Sequence, residues 1–330
     1  MTVVALLSVR EEAFPLKGSF RISRGARTEA RVLVCEIAED GVVGRGECTP
    51  YARYGETLDG VAAAIAAIGP AIGGGLGREG LQRAMRPGAA RNAVDCALWD
   101  LEAKRSGRRV WELAGLAPPQ PVVTAFTLSI DTPEAMGLAA REASARPLLK
   151  LKLAGDGLDA ERVEAVRENA PSARLIVDAN EALTLEETER IAPRLAAAGV
   201  ELLEQPLPAD ADEVLRGRAL PVAIGADESC HDTATLDRLG GIYQVVNIKL
   251  DKTGGLTEAL RLKATAERSG FRIMVGCMMA TSLSMAPALL VAQGASFVDI
   301  DGPLWMARDR DPGLRYEGSL AHPPEPALWG

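Results

Sequence analysis

Five ionisable residues, Lys152, Asp178, Glu204, Asp227 and Lys249, follow one another at intervals of 26, 26, 23 and 22 residues. Such spacing delivers one charge per repeating unit. Brought together, the three carboxylates repel one another unless a cation sits among them, and an all-oxygen donor set without His or Cys suits a hard ion such as Mg²⁺. The plainer reading makes them buried salt bridges with the lysines. Burying several charges for stability alone compares poorly with apolar packing, so a metal site is expected at Asp178, Glu204 and Asp227.

Lysine is scarce: only seven of the 37 basic residues are Lys, and four of them fall in Lys150-Leu-Lys152 and Lys249-Leu-Asp-Lys252. Arginine keeps its proton at working pH, whereas a lysine in a desolvated or positively charged site can become a neutral base. A proton next to a carboxylate is very weakly acidic. Its removal requires a cation to stabilise the enediolate and an amine of lowered pKa, here Lys152 helped by Lys150 and the metal, to accept the proton. With Lys152 and Lys249 on opposite walls, removal on one face and return on the other inverts a carbon centre by 1,1-proton transfer.

The elements that must hold these groups can be read from the pattern. Beyond residue 120, eight apolar runs alternate with helical patterns: Val122–Ile130, Leu148–Leu153, Leu175–Val177, Glu201–Leu203, Val222–Gly225, Val245–Ile248, Ile273–Val275 and Phe297–Ile300. The spacing predicts an α/β fold, a parallel (β/α) barrel whose charged residues gather at the carboxyl ends of the strands, where such barrels build their sites. Thr132-Pro133 and the Thr184/Glu187 capping box mark helix starts, and Pro193 weakens the second helix. Within strands, alternation points Lys150 and Lys152 inward and Leu149, Leu151 and Leu153 outward. The same rule pairs Lys249 with Asp251, Asp178 with Asn180, and Asp299 with Asp301.

Before residue 115, Val3–Val9, Arg31–Ile37 and Val42–Glu47 predict antiparallel strands turning at Glu39-Asp40-Gly41, with helices over 57–68 and 89–106. Residues 1–117 are therefore expected to form an N-terminal α+β capping domain, 118–301 the barrel, and 302–330 a tail packing back on the cap. The proline-rich 117–121 is the connector.

These strings resemble a known family. Lys150-Leu-Lys152, Asp178-Ala-Asn180, Glu204-Gln-Pro206, Asp227-Glu-Ser229 and Asn247-Ile-Lys249, in this order after a cap, resemble the muconate-lactonising subgroup of the enolase superfamily. More narrowly, Asp299-Ile-Asp301, the run Lys249–Gly255, Gly276-Cys-Met278, Phe20–Arg24 and Gly46–Tyr51 resemble dipeptide epimerases of the L-Ala-D/L-Glu type. That resemblance implies an isomerase that inverts the Cα of the C-terminal residue of L-Ala-L/D-Glu, in murein peptide salvage. It implies one Mg²⁺ per subunit, Lys152 and Lys249 as paired bases, and Lys150 beside the substrate carboxylate. It also implies Asp299 and Asp301 on the substrate ammonium and a cap arginine on its side-chain carboxylate. Arg24 is the choice, with Arg21 and Arg27 near. Thr127, Cys277 and Met279 complete the expected contacts. A metal and Lys150 on one carboxylate, paired aspartates on an ammonium and a forked arginine on a second carboxylate describe a small acidic zwitterion. Read alone, Asp299-x-Asp301 would be a turn before Gly302-Pro303.

Other classes fare poorly. With 37 Lys and Arg against 45 Asp and Glu the net charge is −8, and no basic run exists, so a nucleic-acid partner is not expected. No membrane span is expected, since Val61–Ile72 is broken by Gly69 and Pro70, nor a signal peptide at Met1–Leu7. Five scattered cysteines suit reduced thiols and a cytoplasmic protein. With only His231 and His322 in the chain, a serine triad or a histidine-based zinc site is not expected, Cys230-His231 reads as loop packing, and Gly73-Gly74-Gly75 lacks the context of a phosphate loop. Three alternatives stand beside epimerisation: β-elimination or cycloisomerisation as in o-succinylbenzoate synthases and muconate cycloisomerases, a Schiff-base aldolase, and a silent binding protein; the expected partner is a small dipeptide, and a homo-oligomer of unread order is compatible with the sequence.

Overall fold

A computed structural model describes residues 5–330. The strand expected over Val3–Val9 falls partly outside them; Leu6 onward is extended. The cap opens with β1 (Leu6–Ile22), β2 (Gly25–Glu39) and β3 (Val42–Cys48), an antiparallel sheet in that order. β1 and β2 are far longer than the sequence pattern gave. Residues 10–30 alternate too weakly to register as strands, because much of this hairpin stands clear of the core. Its tip, Ser23-Arg24, is a two-residue turn closed by the pair Ile22 and Gly25. The helices α1 (Leu58–Gly73), α2 (Arg78–Ala84), α3 (Ala89–Ser106) and α4 (Val110–Leu113) complete the cap, α1 running through Pro70 and α2 not anticipated.

The run 122–130 splits. β4 (Val122–Val123) turns away, and only β5 (Phe126–Leu128) joins the barrel. Then α5 (Pro133–Glu142), β6 (Leu148–Lys152), α6 (Asp159–Asn169), β7 (Arg174–Asp178), α7 (Leu185–Ala197) and β8 (Val200–Glu204) alternate. Thr132 caps α5 and the Thr184/Glu187 box caps α7, which continues through Pro193. After β8 come β9 (Ile224–Ala226), α8 (Leu236–Leu239), β10 (Val245–Ile248), α9 (Leu250–Thr253), α10 (Leu256–Arg268), β11 (Arg272–Val275), α11 (Ser282–Ala292), β12 (Phe297–Val298) and α12 (Gly302–Trp305). Strands β5 to β12 pair in sequence order, all parallel. The Ala125 N–H donates to the Val298 carbonyl at 2.7 Å, joining the two ends of this curled sheet.

Period-two alternation sorts the strand residues as the sequence predicts. Leu148, Ile176, Leu202, Val245, Met274 and Phe297 form a separate apolar cluster, which fills the floor of the barrel. Leu149, Leu151, Leu153, Val177, Leu203, Val246 and Ile248 join the main core under the helices. Two residues further along each inward row, the apolar floor gives way to Lys150, Asp178, Glu204, Asn247 and Asp299. The three pairs expected at the strand ends do not share a strand face: β7 ends at Asp178, before Asn180, β12 ends at Val298, before Asp299 and Asp301, and α9 begins right after Lys249.

Cap and barrel meet through buried polar contacts. Asp95 of α3 accepts from the Thr257 N–H (2.9 Å) and hydroxyl (2.7 Å), and Gly255, at φ 112°, lets it approach, since a Cβ there would lie 2.5 Å from the Asp95 side chain. Asn92 Nδ2 donates to Asp251 at 2.8 Å, and the Thr281 N–H donates to Glu47 at 2.8 Å. The tail adds β13 (Tyr316–Glu317) and β14 (Leu320–Ala321), an antiparallel pair whose β14 joins β4. Beyond them, buried Trp329 donates from Nε1 to the Cys96 carbonyl of α3 at 3.1 Å. Among the described residues, no helix is long and apolar enough to cross a membrane.

Candidate active site

At the carboxyl ends of β7 and β8 and just past β9, Asp178, Glu204 and Asp227 each offer an oxygen, and these oxygens lie within 4.8 Å of one another. All three side chains are buried. Asn247 Nδ2 donates to Glu204 Oε1 at 2.5 Å. Glu204 Oε2 lies 2.7 Å from Lys150 Nζ, but at angles that make no hydrogen bond. Three buried carboxylates drawn together with no His or Cys among them form an all-oxygen donor set that fits a hard divalent cation.

The lysines stand around this cluster. Lys152 Nζ lies 2.6 Å from Asp178 Oδ2, and Lys249 Nζ lies 2.6 Å from Asp227 Oδ2. Lys150 Nζ is 2.7 Å from Asp299 Oδ2 and 3.2 Å from Asp178 Oδ2. Lys252 Nζ reaches Asp227 Oδ1 at 2.6 Å and the Asn247 carbonyl at 2.9 Å. Lys152 ends β6 and Lys249 follows β10, four strands on in an eight-stranded order, so the two amines come from opposite sides of the barrel.

Electrostatics follow from these contacts. Burial favours neutral Asp178 and Asp227, but Lys152 and Lys150 hold the first below the usual carboxylate range, and Lys249 and Lys252 hold the second well below it. Glu204 goes the other way: burial, then Asp178, push it up to about 7. Lys249 and Lys150 are raised, because their carboxylate neighbours outweigh burial. For these two the direction is opposite to the lowered pKa of a resting base. A cation drawing on the same oxygens would remove that attraction.

Above the cluster opens a cavity of about 440 Å³. Lys152, Lys249, Asn180 and Glu228 line its floor side, Arg24, Arg27 and Arg53 its cap side, and Phe20, Ile22 and the Cys277–Met279 segment its apolar wall. Of the expected substrate contacts, Arg24, Cys277 and Met279 line this cavity. Asp299, Asp301 and Thr127 do not line this cavity; the two aspartates lie beside Cys277, which does. Asp301 Oδ2 accepts the Thr127 N–H at 2.7 Å, and burial together with Asp299 raises its carboxyl to about 7. Asp299 Oδ1 is buried without a partner. Thr127 is buried in β5 beside Lys150.

Arg24, at the hairpin tip, spends all its donors on protein. It bonds Tyr51 Oη (3.1 and 2.7 Å), the Asn180 carbonyl (2.8 Å), Glu181 Oε2 (3.2 Å) and Glu228 Oε1 (2.6 Å). Arg21 holds Ser129 by its backbone, and Arg27 lines the cavity from the exposed rim. Cys230 is buried with its thiol pushed up to about 11 by burial, and His231 Nε2 meets the Glu228 carbonyl at 2.9 Å, as loop packing requires.

Several groups were given no role by the sequence reading, although most of them stand in the strings it singled out. Glu228, Asn180, Glu181, Gln205, Asn247, Lys252, Tyr51 and Arg53 all touch the site or its ligands. All but Tyr51 and Arg53 lie within three residues of a charged strand end, and that proximity was the available signal. Asn180, Glu181 and Gln205 take positive φ of 45°, 67° and 36°, a left-handed conformation costing roughly 1 kcal/mol or more each for non-glycines. Such strain clusters in loops built for a site.

The comparisons agree with this geometry. Residues 4–115 match the mandelate racemase / muconate lactonizing enzyme N-terminal domain, and residues 135–325 match the enolase C-terminal domain-like family. The chain belongs to this branch of the enolase superfamily. Within the family, it is 48% identical over 319 residues to an L-Ala-D/L-Glu epimerase of Escherichia coli, covering 96% of this chain and 99% of that one. It is 43% identical over 301 residues to an N-acetyl-D-glutamate racemase of Pseudoalteromonas, covering 91% and 95%. Among solved structures, an enolase family member from Agrobacterium tumefaciens with homology to dipeptide epimerases, with bound sodium and L-Ala-L-Glu, matches at TM-score 0.97 and 54% identity over 99% and 100% of the chains.

Proposed function

We propose that this chain is a Mg²⁺-dependent dipeptide epimerase that inverts the Cα of the C-terminal residue of L-Ala-L/D-Glu-like dipeptides, in the salvage of murein peptides. The observation that carries the reading is the pair of amines, Lys152 and Lys249, from opposite sides of the barrel and lining one cavity, with three carboxylates between them.

Asp178, Glu204 and Asp227 would hold the cation, whose charge, when bound, offsets the charge that builds on the substrate carboxylate as the α-proton leaves. Lys150 sits deeper and faces that carboxylate. One of Lys152 and Lys249, as a neutral amine, takes the α-proton; the other, as an ammonium, returns a proton to the opposite face. Each must first give up its carboxylate partner, Asp178 or Asp227. Asp299 and Asp301 would take the substrate ammonium, and buried, unpartnered Asp299 Oδ1 supports that role. Arg24 would exchange one protein acceptor for the side-chain carboxylate.

The relative acting on N-acetyl-D-glutamate suggests a second reading, racemisation of an N-acylated glutamate by the same lysines. One experiment addresses both. In D₂O with Mg²⁺, L-Ala-L-Glu should exchange its glutamate α-proton and yield both epimers, and a chelator should stop this. No exchange with any dipeptide defeats the proposal; exchange confined to N-acetylglutamate favours the second reading.

A further inference from the structure

Gln205, the residue after the carboxylate Glu204, is fully buried and every polar group on it is engaged. Its N–H donates to the Gly225 carbonyl at 2.8 Å, and its own carbonyl accepts the Glu181 N–H at 2.9 Å. Side-chain Oε1 accepts the N–H groups of Asp227 (2.9 Å) and Ser229 (3.1 Å). Nε2 faces the Leu207 carbonyl (2.9 Å), Ser229 Oγ (2.8 Å) and Tyr243 Oη (3.0 Å). One residue thereby ties together the loops after β7, β8 and β9, which carry Asp178, Glu204 and Asp227.

Behind it, the polarity is fixed. Ser229 Oγ and Tyr243 Oη donate to Asp212 Oδ2 at 2.5 and 3.0 Å, and Arg238 Nη1 donates to Asp212 Oδ1 at 2.8 Å. A carboxylate paired with arginine accepts only, so both hydroxyls spend their protons on Asp212 and can offer Gln205 nothing but lone pairs. That chain, with the Leu207 carbonyl, forces Nε2 backward and Oε1 toward the Asp227 main chain. Lys249 and Lys252 account for the Asp227 carboxylate oxygens, and Lys252 Nζ and the Cys230 N–H meet its main-chain carbonyl, which leaves the Asp227 N–H to Gln205 alone.

We propose that Gln205 is a positioning residue for the cation site: its side-chain carbonyl sets where Asp227 stands relative to Glu204, and the buried Asp212–Ser229–Tyr243 group fixes which way its amide points. The inference rests on the reading of the triad as a Mg²⁺ site. Groups that orient metal ligands change affinity about 10- to 100-fold when removed.

The test is Mg²⁺ binding by calorimetry, without substrate, together with metal-free melting. Gln205→Met keeps the bulk and removes both sets of bonds; the Mg²⁺ Kd should rise about 10- to 100-fold, and activity should recover at high Mg²⁺. Tyr243→Phe, which removes one hydroxyl and leaves the fold's packing in place, should raise the Kd about 2- to 10-fold, as one lost hydrogen bond does. Variants that melt earlier but bind Mg²⁺ like the parent would make Gln205 a purely structural residue and overturn the proposal. A parent protein that binds no Mg²⁺ would instead remove the metal reading, and this inference with it.

Discussion

Lys249 Nζ lies 2.6 Å from Asp227 Oδ2, and on the far side of the barrel Lys152 Nζ stands at the same distance from Asp178 Oδ2. Each amine is held by a carboxylate that belongs to the acidic cluster. The two lysines are alike in their carboxylate contact and opposite in position, an arrangement that, on the proposed mechanism, would tie the direction of proton transfer to the face of the substrate.

Removing either amine should split the two half-reactions. Lys152→Ala and Lys249→Ala should each lower epimerisation by about 10²- to 10⁴-fold, the range of a lost general base. Each variant should still exchange the α-proton of one epimer with D₂O, and the two variants should retain opposite epimers. Proton NMR with each epimer supplied separately reads this directly. Loss of exchange toward the same epimer in both variants places the two amines on one face and defeats the two-base scheme.

On the proposed reading, Asp299 and Asp301 would separate a free ammonium from an acyl group. Asp301→Asn keeps an oxygen for the Thr127 N–H and deletes a negative charge. For L-Ala-L-Glu its KM should rise about tenfold to a hundredfold, the worth of a hydrogen bond to a charged group, while turnover of N-acetylglutamate should be spared. Steady-state kinetics on both substrates decides the point: equal losses on the two would show that the pair does not read the ammonium.

The barrel and the five spaced charges were legible because both follow from rules that leave marks in the chain. Strands buried on two faces are continuous apolar runs, and inward alternation carried Lys150 and Lys152 to the same side. The cap hairpin left no such mark, since residues 10–30 extend beyond the core and have little apolar face to reveal their period. Lys249-Leu-Asp251 misled for a related reason: strand pairing ends at Ile248, and the α9 turn sends Asp251 to Asn92 in the cap. Arg24 lines the cavity, but its engagement with Glu228, Glu181 and Tyr51 depends on loops distant in sequence, which spacing cannot register. The same holds for Gln205 and Asp212.

Asp251 should impose a pH dependence on stability. Burial raises its carboxyl to about 7, with Glu56 and Glu47 adding to the shift and the Asn92 and Thr49 hydrogen bonds opposing it; among the described residues it has no ion pair. The folded state thus holds a proton that the unfolded chain releases near pH 4. Its contribution is greatest below that point and is lost as pH rises toward 7, on the order of a few kcal/mol. Asp95, at about 6, and Asp301, at about 7, act in the same direction, so the parent profile is a sum. Asp251→Asn keeps both hydrogen bonds and should flatten its share. Melting between pH 4 and 8 with saturating denaturant controls would show parallel profiles if Asp251 does not titrate there.

Trp329 tests whether the last residues belong energetically to the cap. Its side chain is fully buried, its indole bonds the Cys96 carbonyl at 3.1 Å, and Arg45 of β3 holds the Ala327 and Leu328 carbonyls at 2.9 Å each. The next N–H, of Gly330, donates to buried Asp100 at 2.8 Å. None of these hydrogen bonds is made to a member of the carboxylate cluster. Trp329→Ala should therefore cost about 3–5 kcal/mol of stability, as expected for emptying a buried tryptophan site, with KM for dipeptide unchanged at temperatures where the protein stays folded. Chemical denaturation followed by the remaining tryptophans would measure it. A loss below about 1 kcal/mol, the scale of an ordinary surface substitution, would mean that the tail rests on the cap without bracing it.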